Sequence, residues 1–400
     1  MQVEPLNPEP INMKIILYCQ HVLGIGHLFR SLEICKALSD HKVILVSGGP
    51  QIATGLADHV REVHLPDLQM NREFKGLFST QKNATLDQVK EERQKRLFAL
   101  LEAEKPDVFL IELYPFGRKA FRFEIDPVLQ AMDDKRLSCG SVVCSVRDIL
   151  VEKEDRDKHE SRVVKTLNRY FNAVLVHADP KLVRISETFD QFDQIAIPVA
   201  YTGYITPKPS PDAGKRIRKE LKIGQEDILI IASAGGGNVG APILKAVMRA
   251  FGRLELNSRC HLEVFTGPFL DQKEFDRLKK NAGSNVQVTR FARDFLSYLA
   301  AADLSVSMGG YNTTMNLLAS GAPALVWPFG QNREQRLRAG RLADLGALRV
   351  LEDEDLRPER LAILMDQWIS RSPRPSVNID LNGAANTAEW IENRIKRQSS

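Results

Sequence analysis

Three glycine-rich segments, each with polar side chains beside it, are where this chain could do chemistry. The first is Gly24-Ile25-Gly26-His27-Leu28-Phe29-Arg30. Its glycines permit a tight turn into a helix, and the helix start offers N–H groups to an anion or oxyanion. It is not a dinucleotide fingerprint, because Phe29 stands at the third glycine position. His27 lies at the lip of this turn, where an imidazole can act as a general base near neutral pH. The competing reading is a helix-start histidine that only bonds to backbone. The second segment runs Ser233-Ala234-Gly235-Gly236-Gly237-Asn238-Val239-Gly240, just before Pro242. Proline suits a first helical position, and Gly235, Gly236 and Gly237 could form a nest of N–H groups for a diphosphate. The Lys-Ser/Thr of a P-loop is missing. A plain strand-to-helix turn is the simpler reading, but it does not require three glycines in a row.

The third segment extends from Ser307 to Gln335. A strand pattern ends at Gly309-Gly310, and Asn312 or Thr313 could cap the helix that follows. Gly310, Asn312, Thr313 and Thr314 would thus border a second phosphate-binding helix start. After Trp327-Pro328-Phe329, Glu334 and Gln335 open another helix pattern, where carboxylate and amide could bind vicinal sugar hydroxyls. The N-terminal half adds polar groups after apolar runs: Glu112, Arg147-Asp148, and His177 with Asp179-Pro180. A carboxylate ending a buried strand can have a raised pKa, which makes Glu112 the second candidate base. Arg147-Asp148 could be a local ion pair, and Asp179-Pro180 reads better as a turn or cap.

Such residues need a scaffold that brings them together. Short apolar runs at Lys14–Gln20, Lys42–Ser47, Val108–Glu112, Ser141–Ser145 and Ala173–His177 predict buried strands. Helical patterns fall between them at His27–Leu38, Leu86–Glu104, Phe121–Met132 and Lys158–Tyr170. The alternation implies βαβ units and a parallel sheet with helices on both faces. Prolines 198, 207, 209 and 211, with Gly203 and Gly214, then interrupt the pattern like a linker. It resumes with strands at Ile228–Ser233, Leu262–Thr266, Val286–Arg290, Leu304–Ser307 and Ala324–Val326. Helices are predicted at Pro242–Leu254, Asp271–Asn281, Phe295–Ala302, Thr313–Ser320 and Glu334–Leu345. The expected organisation is a disordered tail (1–12), an N-terminal Rossmann-like domain (13–205), a linker (206–225), a C-terminal domain (226–375) and a closing helix (376–400). Ligands in open α/β sheets sit beyond the strands' carboxyl ends, so a cleft between two facing sheets is the natural site.

Composition narrows the function. The chain has 400 residues and a net charge of +4, with 43% hydrophobic residues. That mild basic excess is a poor footprint for a nucleic-acid binder but is compatible with anionic small molecules. No apolar run approaches the ~20 residues that span a bilayer, and the leader has no basic signal-peptide region. Five scattered cysteines suggest a reduced, cytoplasmic protein. No metal site is expected: Cys139 and Cys144 lack zinc spacing, and Glu352-Asp353-Glu354-Asp355 reads as a solvated helix cap. The charges of Lys90–Arg96 read as one exposed helix face.

Taken together, Gly24–Arg30, Gly235–Gly237, Gly309-Gly310 and Gly321-x-Pro323…Gln335 resemble the GT-B glycosyltransferases, notably family 28 and the peptidoglycan N-acetylglucosaminyltransferases. The likeness covers both halves and is strongest between Val286 and Gly346. It implies the GT-B fold: two Rossmann-like, doubly wound parallel-sheet domains facing a cleft, acceptor-binding at the N-terminus and nucleotide-sugar-binding at the C-terminus. It also implies an inverting transferase with a UDP-linked donor and no cofactor or metal requirement. Carried over by position, Gly235–Gly237 would face the diphosphate and backbone groups at Ala292 the nucleobase. Gly310 and Asn312–Thr314 would sit by the phosphates, and Gln335 by the donor sugar. Asn316 stands where the family usually has a ribose-binding glutamate. Gly26, Arg147, Asp148 and His177 would lie on the acceptor side, with His27 as base and Glu112 as fallback. The expected partners are a nucleotide sugar and an unidentified acceptor, without nucleic acid. A lipid-linked acceptor would bring peripheral contact with the inner face of the membrane. The competing functions are a nucleotide-sugar hydrolase of the pseudaminic-acid-pathway type, a nucleotide-sugar 2-epimerase and a non-catalytic nucleotide-sugar-binding protein.

Overall fold

The computed structural model describes residues 12–21, 26–49, 55–70, 76–79, 84–150, 155–237, 239–255, 259–330, 333–369 and 377–399. Gly24 and Ile25 of the first motif, Asn238 of the second and the segment Ser372–Pro375 lie outside them. The chain divides into two compact units, one made of Met1–Pro180, Arg184–Ile205 and Asn382–Ser400, the other of Lys181–Val183 and Thr206–Leu381.

Unit 1 begins with β1 (Lys14–Tyr18), α1 (Gly26–Ala37), β2 (Lys42–Ser47), β3 (Val60–His64) and the small hairpin β4 (Leu68–Met70) and β5 (Leu77–Ser79). It continues through α2 (Leu86–Glu104), β6 (Val108–Glu112), α3 (Arg122–Asp133), β7 (Ser141–Arg147), α4 (Arg156–Tyr170), β8 (Ala173–His177) and β9 (Val199–Tyr201). Seven strands form one parallel sheet in the order β3-β2-β1-β6-β7-β8-β9. The strand order therefore reverses between β1 and β6, the position where doubly wound sheets open a crevice. Strand alternation assigns the faces: Ile15, Leu17 and Cys19 of β1 and Val108 and Leu110 of β6 join a core with Leu28 and Leu32 of α1. Beyond this pattern, β3 and β9 escape the apolar-run criterion because edge strands need no continuous apolar sequence; Arg61 and Glu62 of β3 are exposed.

On the opposite face, Tyr18 of β1 donates to Glu124 of α3, and Arg93 of α2 grips the same carboxylate at 2.6 and 2.8 Å. Arg93 also donates to the Pro66 carbonyl at 2.7 Å and to Gln20 at 2.8 Å. Both Arg93 and Glu124 are fully buried. The basic run 90–96 is therefore not one solvated face. Arg93 shares the inward stripe of Val89, Leu97 and Leu101, at helical spacing. The α2 N-terminus closes with a capping box between Thr85 and Gln88.

Unit 2 consists of α5 (Ala213–Glu220), β10 (Ile228–Ser233), α6 (Ala241–Phe251), β11 (Cys260–Phe265), α7 (Gln272–Lys280), β12 (Val286–Thr289), α8 (Phe295–Ala301) and β13 (Leu304–Met308), followed by α9 (Tyr311–Ser320), β14 (Ala324–Trp327), α10 (Arg333–Asp344), β15 (Arg349–Val350) and α11 (Pro358–Ile369). Its parallel sheet has the order β12-β11-β10-β13-β14-β15, so it reverses between β10 and β13. Ile230, Ala232, Leu262, Val264 and Val306 pack against Ile243 and Val247 of α6 and Leu361, Met365 and Trp368 of α11. The stretch 206–225 is more than a linker, because α5 forms within it and buries Ala213 and Ile217. Its two inward positions were hidden among the prolines. The chain ends with α12 (Gly383–Ser399), which returns to unit 1 and sets Ala388 and Ile391 into the α1 side of that core.

Glu263 lies on the other face of β11 from Leu262 and Val264, in register between Ile231 and Gln287. Burial pushes its carboxyl up to about 7. A raised acid favours folding below its ordinary value and loses that contribution as pH rises through about 7. Glu263→Gln should flatten the fall in stability between the two values and leave unit 2 about 1–3 kcal/mol more stable at pH 8, measured by urea denaturation. At the unit 1 pair, Arg93→Leu should cost about 3–5 kcal/mol by stranding the buried Glu124 carboxylate, and adding Glu124→Leu should recover much of it.

Candidate functional site

In unit 1 the candidate residues converge where the strand order reverses. Glu112 ends β6 with the same parity as Val108 and Leu110, so it points to the α1 side. His27 and Arg30 lie in the first turn of α1, three residues apart on one helix face, and both meet that carboxylate. His27 Nδ1 is 2.6 Å from Glu112 Oε1, and Arg30 Nη2 donates to the same oxygen at 2.5 Å. Arg118 Nη2 reaches Glu112 Oε2 at 3.3 Å. Glu112 is 1% exposed and His27 21%.

The electrostatics assign a role to each partner. Burial alone would raise Glu112, but His27, Arg118 and Arg30 outweigh it and hold the carboxyl well below the usual carboxylate range. Glu112 is thus permanently charged, which overturns its reading as an alternative base with a raised pKa. For His27, burial is the largest effect and lowers the pKa, Glu112 opposes it, and Arg118 and Arg30 lower it further, to about 3. The imidazole is neutral near neutral pH. Its Nδ1–H donates to Glu112, which leaves the Nε2 lone pair as the basic position. The acceptor-side expectations divide. His177 is fully buried, bridging Ser145 Oγ at 2.7 Å and Thr202 Oγ1 at 2.8 Å, and burial lowers it to about 3. It is a strand-bridging group instead of a ligand-facing one. Asp148 is buried after β7, and Arg147 ends β7 in register with His177. Gly26 is the first residue of α1. Sequence reasoning gave Arg118 no role. It follows Glu112 by six residues, at a left-handed backbone position, and no periodicity marks it.

In unit 2 the two glycine motifs flank the other reversal, one after β10 and one after β13. The Gly235 N–H bonds to Ser233 Oγ at 3.2 Å and the Gly237 N–H to the Ala234 carbonyl at 3.3 Å, so the turn is fixed by one side-chain and one backbone acceptor from its own residues. A Cβ on Gly235 would lie 3.7 Å from Thr313 Oγ1, which sets the turn beside the α9 N-terminus. Helix α9 starts at Tyr311 with Gly310 as N-cap and no side-chain cap. Asn312 and Thr313 therefore do not cap it; both sit in its first turn. Thr314 Oγ1 folds back onto the Gly310 carbonyl at 2.9 Å. Asn316 accepts a bond from Thr206 Oγ1 at 3.0 Å.

Glu334 is buried and paired with Arg338 at 2.6 Å, so it does not project like a sugar ligand. The Arg338 guanidinium lies 5.0 Å from the Tyr311 ring and so ties α10 to the start of α9. Gln335 accepts from the Phe329 N–H at 3.0 Å and packs against Gly309. Ala292 is half-buried between β12 and α8, beside exposed Phe291. The Glu352–Asp355 run is a local capping box, with Glu352 N–H on Asp355 at 2.9 Å. Among the described residues, no group of three or more His, Cys, Asp or Glu is arranged to hold a metal.

Sequence reasoning missed Gly267. It has φ +81°, and a Cβ there would stand 2.4 Å from the Gly235 carbonyl oxygen. The Thr266-Gly267-Pro268 turn directly after a strand was the available signal. Gly267→Ala should destabilise unit 2 by about 1–3 kcal/mol through backbone strain and displace the 235–237 turn, read by urea denaturation and amide exchange of that turn.

The sequence profile of the glycosyltransferase family 28 C-terminal domain matches residues 232–392. An uncharacterized glycosyltransferase of Methanosarcina mazei is 30% identical over 122 residues, 30% of each chain. A UDP-N-acetylglucosamine–N-acetylmuramyl-(pentapeptide) pyrophosphoryl-undecaprenol N-acetylglucosamine transferase of Burkholderia multivorans is 30% identical over 172 residues, 40% of this chain and 44% of its own. The matched stretches thus span less than half the length of these curated relatives. Among solved structures, Acinetobacter baumannii MurG aligns with TM-score 0.54 at 15% identity, over 96% of this chain and 99% of that one. The spinosyn rhamnosyltransferase SpnG aligns with TM-score 0.59 at 16% identity, over 96% of each. The fold is GT-B, with two parallel-sheet α/β units, and residues 232–392 of the second unit and the closing helix match the family 28 glycosyltransferase C-terminal domain.

Proposed function

We propose that this chain transfers a sugar from a nucleotide-diphosphate donor, UDP-linked, to an acceptor hydroxyl with inversion. The observation that carries the reading is the His27–Glu112 pair: a neutral imidazole held by a buried, permanently charged carboxylate at the switch point of unit 1. His27 Nε2 takes the acceptor proton as the acceptor oxygen attacks the anomeric carbon. The bond from that carbon to the diphosphate oxygen breaks, and the nucleoside diphosphate leaves with the electron pair. Burial would make the developing imidazolium costly, and Glu112 offsets that cost by pairing with it. In unit 2 the α9 N-terminus, which has no side-chain cap and starts beside the glycine turn, supplies N–H dipoles for the leaving diphosphate, the task a metal performs elsewhere. Gln335 and backbone at Ala292 are assigned to the donor sugar and base. The N-terminal unit holds the acceptor, and no metal or other cofactor takes part.

The curated relative's printed name supports a UDP-sugar donor and a lipid-linked acceptor. Among the described residues, no helix is long and apolar enough to cross a membrane. A cytoplasmic location with peripheral contact at the inner membrane face belongs to the same proposal, resting on the lipid-linked acceptor in that relative's name.

The test is nucleoside-diphosphate release from a panel of nucleotide sugars, with and without acceptors. Acceptor-dependent release is expected; release at the same rate without any acceptor would sink transfer in favour of hydrolysis. His27→Ala should lower kcat about 10²–10⁴-fold with donor binding retained, and Glu112→Gln should follow it. The base works unprotonated, so a pKa of about 3 for His27 puts its acid limb far below the ordinary histidine range. kcat/KM should stay flat from pH 8 down to about pH 5.5, where an ordinary histidine would already have cut it several-fold.

A further inference from the structure

Away from the residues assigned above, helices α3 and α4 of unit 1 border a groove of about 450 Å³. Helical spacing fills it with charge. On α4, Arg162, Lys165 and Arg169 fall at i, i+3 and i+7; on α3, Arg122 and Asp126 fall at i and i+4. Asp126 is the single acid on the groove wall, and it is engaged: it pairs with Arg122 at 2.9 Å and accepts from the Tyr114 hydroxyl. Arg169 pairs with Asp133 at 3.1 Å and donates to Gln130 at 3.2 Å. The two central cations differ. The side chains of Arg162 and Lys165 make no ion pair or hydrogen bond with a described residue. Like charges one helical turn apart repel, and an ordinary solvated helix surface spreads them over a convex face. Here they share a concavity of the size that small ligands fill.

We infer that this groove is a second anion site, which binds a phosphoryl group, with Arg162 and Lys165 as its principal ligands. A dianion matches two uncompensated cations and turns their repulsion into attraction. The planar Arg162 fork can take two phosphate oxygens while Lys165 acts as a point charge. A monocarboxylate would neutralise only one of them. The phosphoryl group could arrive on a soluble phosphate ester or on a lipid headgroup.

Inorganic pyrophosphate is the probe, titrated calorimetrically into the full chain with UDP present to occupy the proposed donor site. Saturable binding that weakens with added salt is expected. Arg162→Ala/Lys165→Ala should weaken it at least tenfold with an unchanged urea midpoint, and Lys95→Ala/Arg96→Ala, which removes two cations from α2, should leave it intact. Absence of saturable binding, or equal affinity in the two double variants, overturns the site. Sedimentation with vesicles containing phosphatidic acid, whose phosphomonoester headgroup can carry two charges, separates the sources. Retention that pyrophosphate reverses and the groove variant loses assigns a lipid headgroup; pyrophosphate binding without retention assigns a soluble ester. Failure of UDP to bind would count against the donor reading alone, because the groove lies on different residues.

Discussion

Glu112 is a carboxylate taken almost wholly out of water, and the N-terminal unit is arranged around keeping it charged. An unpaired carboxylate in that position would cost several kcal/mol. It is held instead by three groups from two directions: His27 and Arg30 from the start of α1, and Arg118 from the loop after its own strand. Each supports the carboxylate, and the carboxylate in turn fixes the imidazole's orientation and tautomer. Remove Glu112 and two arginines crowd a half-buried histidine with no compensating charge. The site and the local stability are therefore one interaction viewed from two sides.

The pair exists because of topology. His27 and Glu112 are 85 residues apart, yet β1 and β6 are neighbours, and the chain reverses direction across the sheet between them. The same geometry recurs in unit 2, where the turn after β10 and the helix after β13 flank the corresponding reversal. One unit thus sets the His27–Glu112 pair at its reversal and the other a helix N-terminus beside a glycine turn, both by the same rule of doubly wound sheets. Gly237 and Gly267 are required because their two turns pass with backbone against backbone, where a Cβ does not fit.

The buried polar network of Arg93, Glu124, Tyr18 and Gln20 shows the limit of reading charge from composition. All seven residues from Lys90 to Arg96 are charged or amide-bearing, and the second Arg/Lys position among them, Arg93, turns fully inward. What decides this is the partner: Glu124 comes from a helix 31 residues away, and only their meeting makes the burial tolerable. Charge at 162, 165 and 169 illustrates the converse, since the pattern was in the sequence but its concave setting was not.

Sequence alone determined the strand and helix alternation, the two doubly wound halves, the three glycine motifs and the two side chains of the candidate pair. Those features are local, or depend on parity and periodicity that one chain carries along its length. Tertiary structure decided the roles. It made Glu112 the partner of His27 instead of a rival base, turned His177 and Glu334 into buried structural groups, brought Arg118 to a position no spacing rule marks, and set Gly267 against the Gly235 carbonyl. The reason is that pKa, burial and close approach depend on what a residue meets across the fold, and strand neighbours in a crossover topology are set by contacts that the linear pattern does not contain.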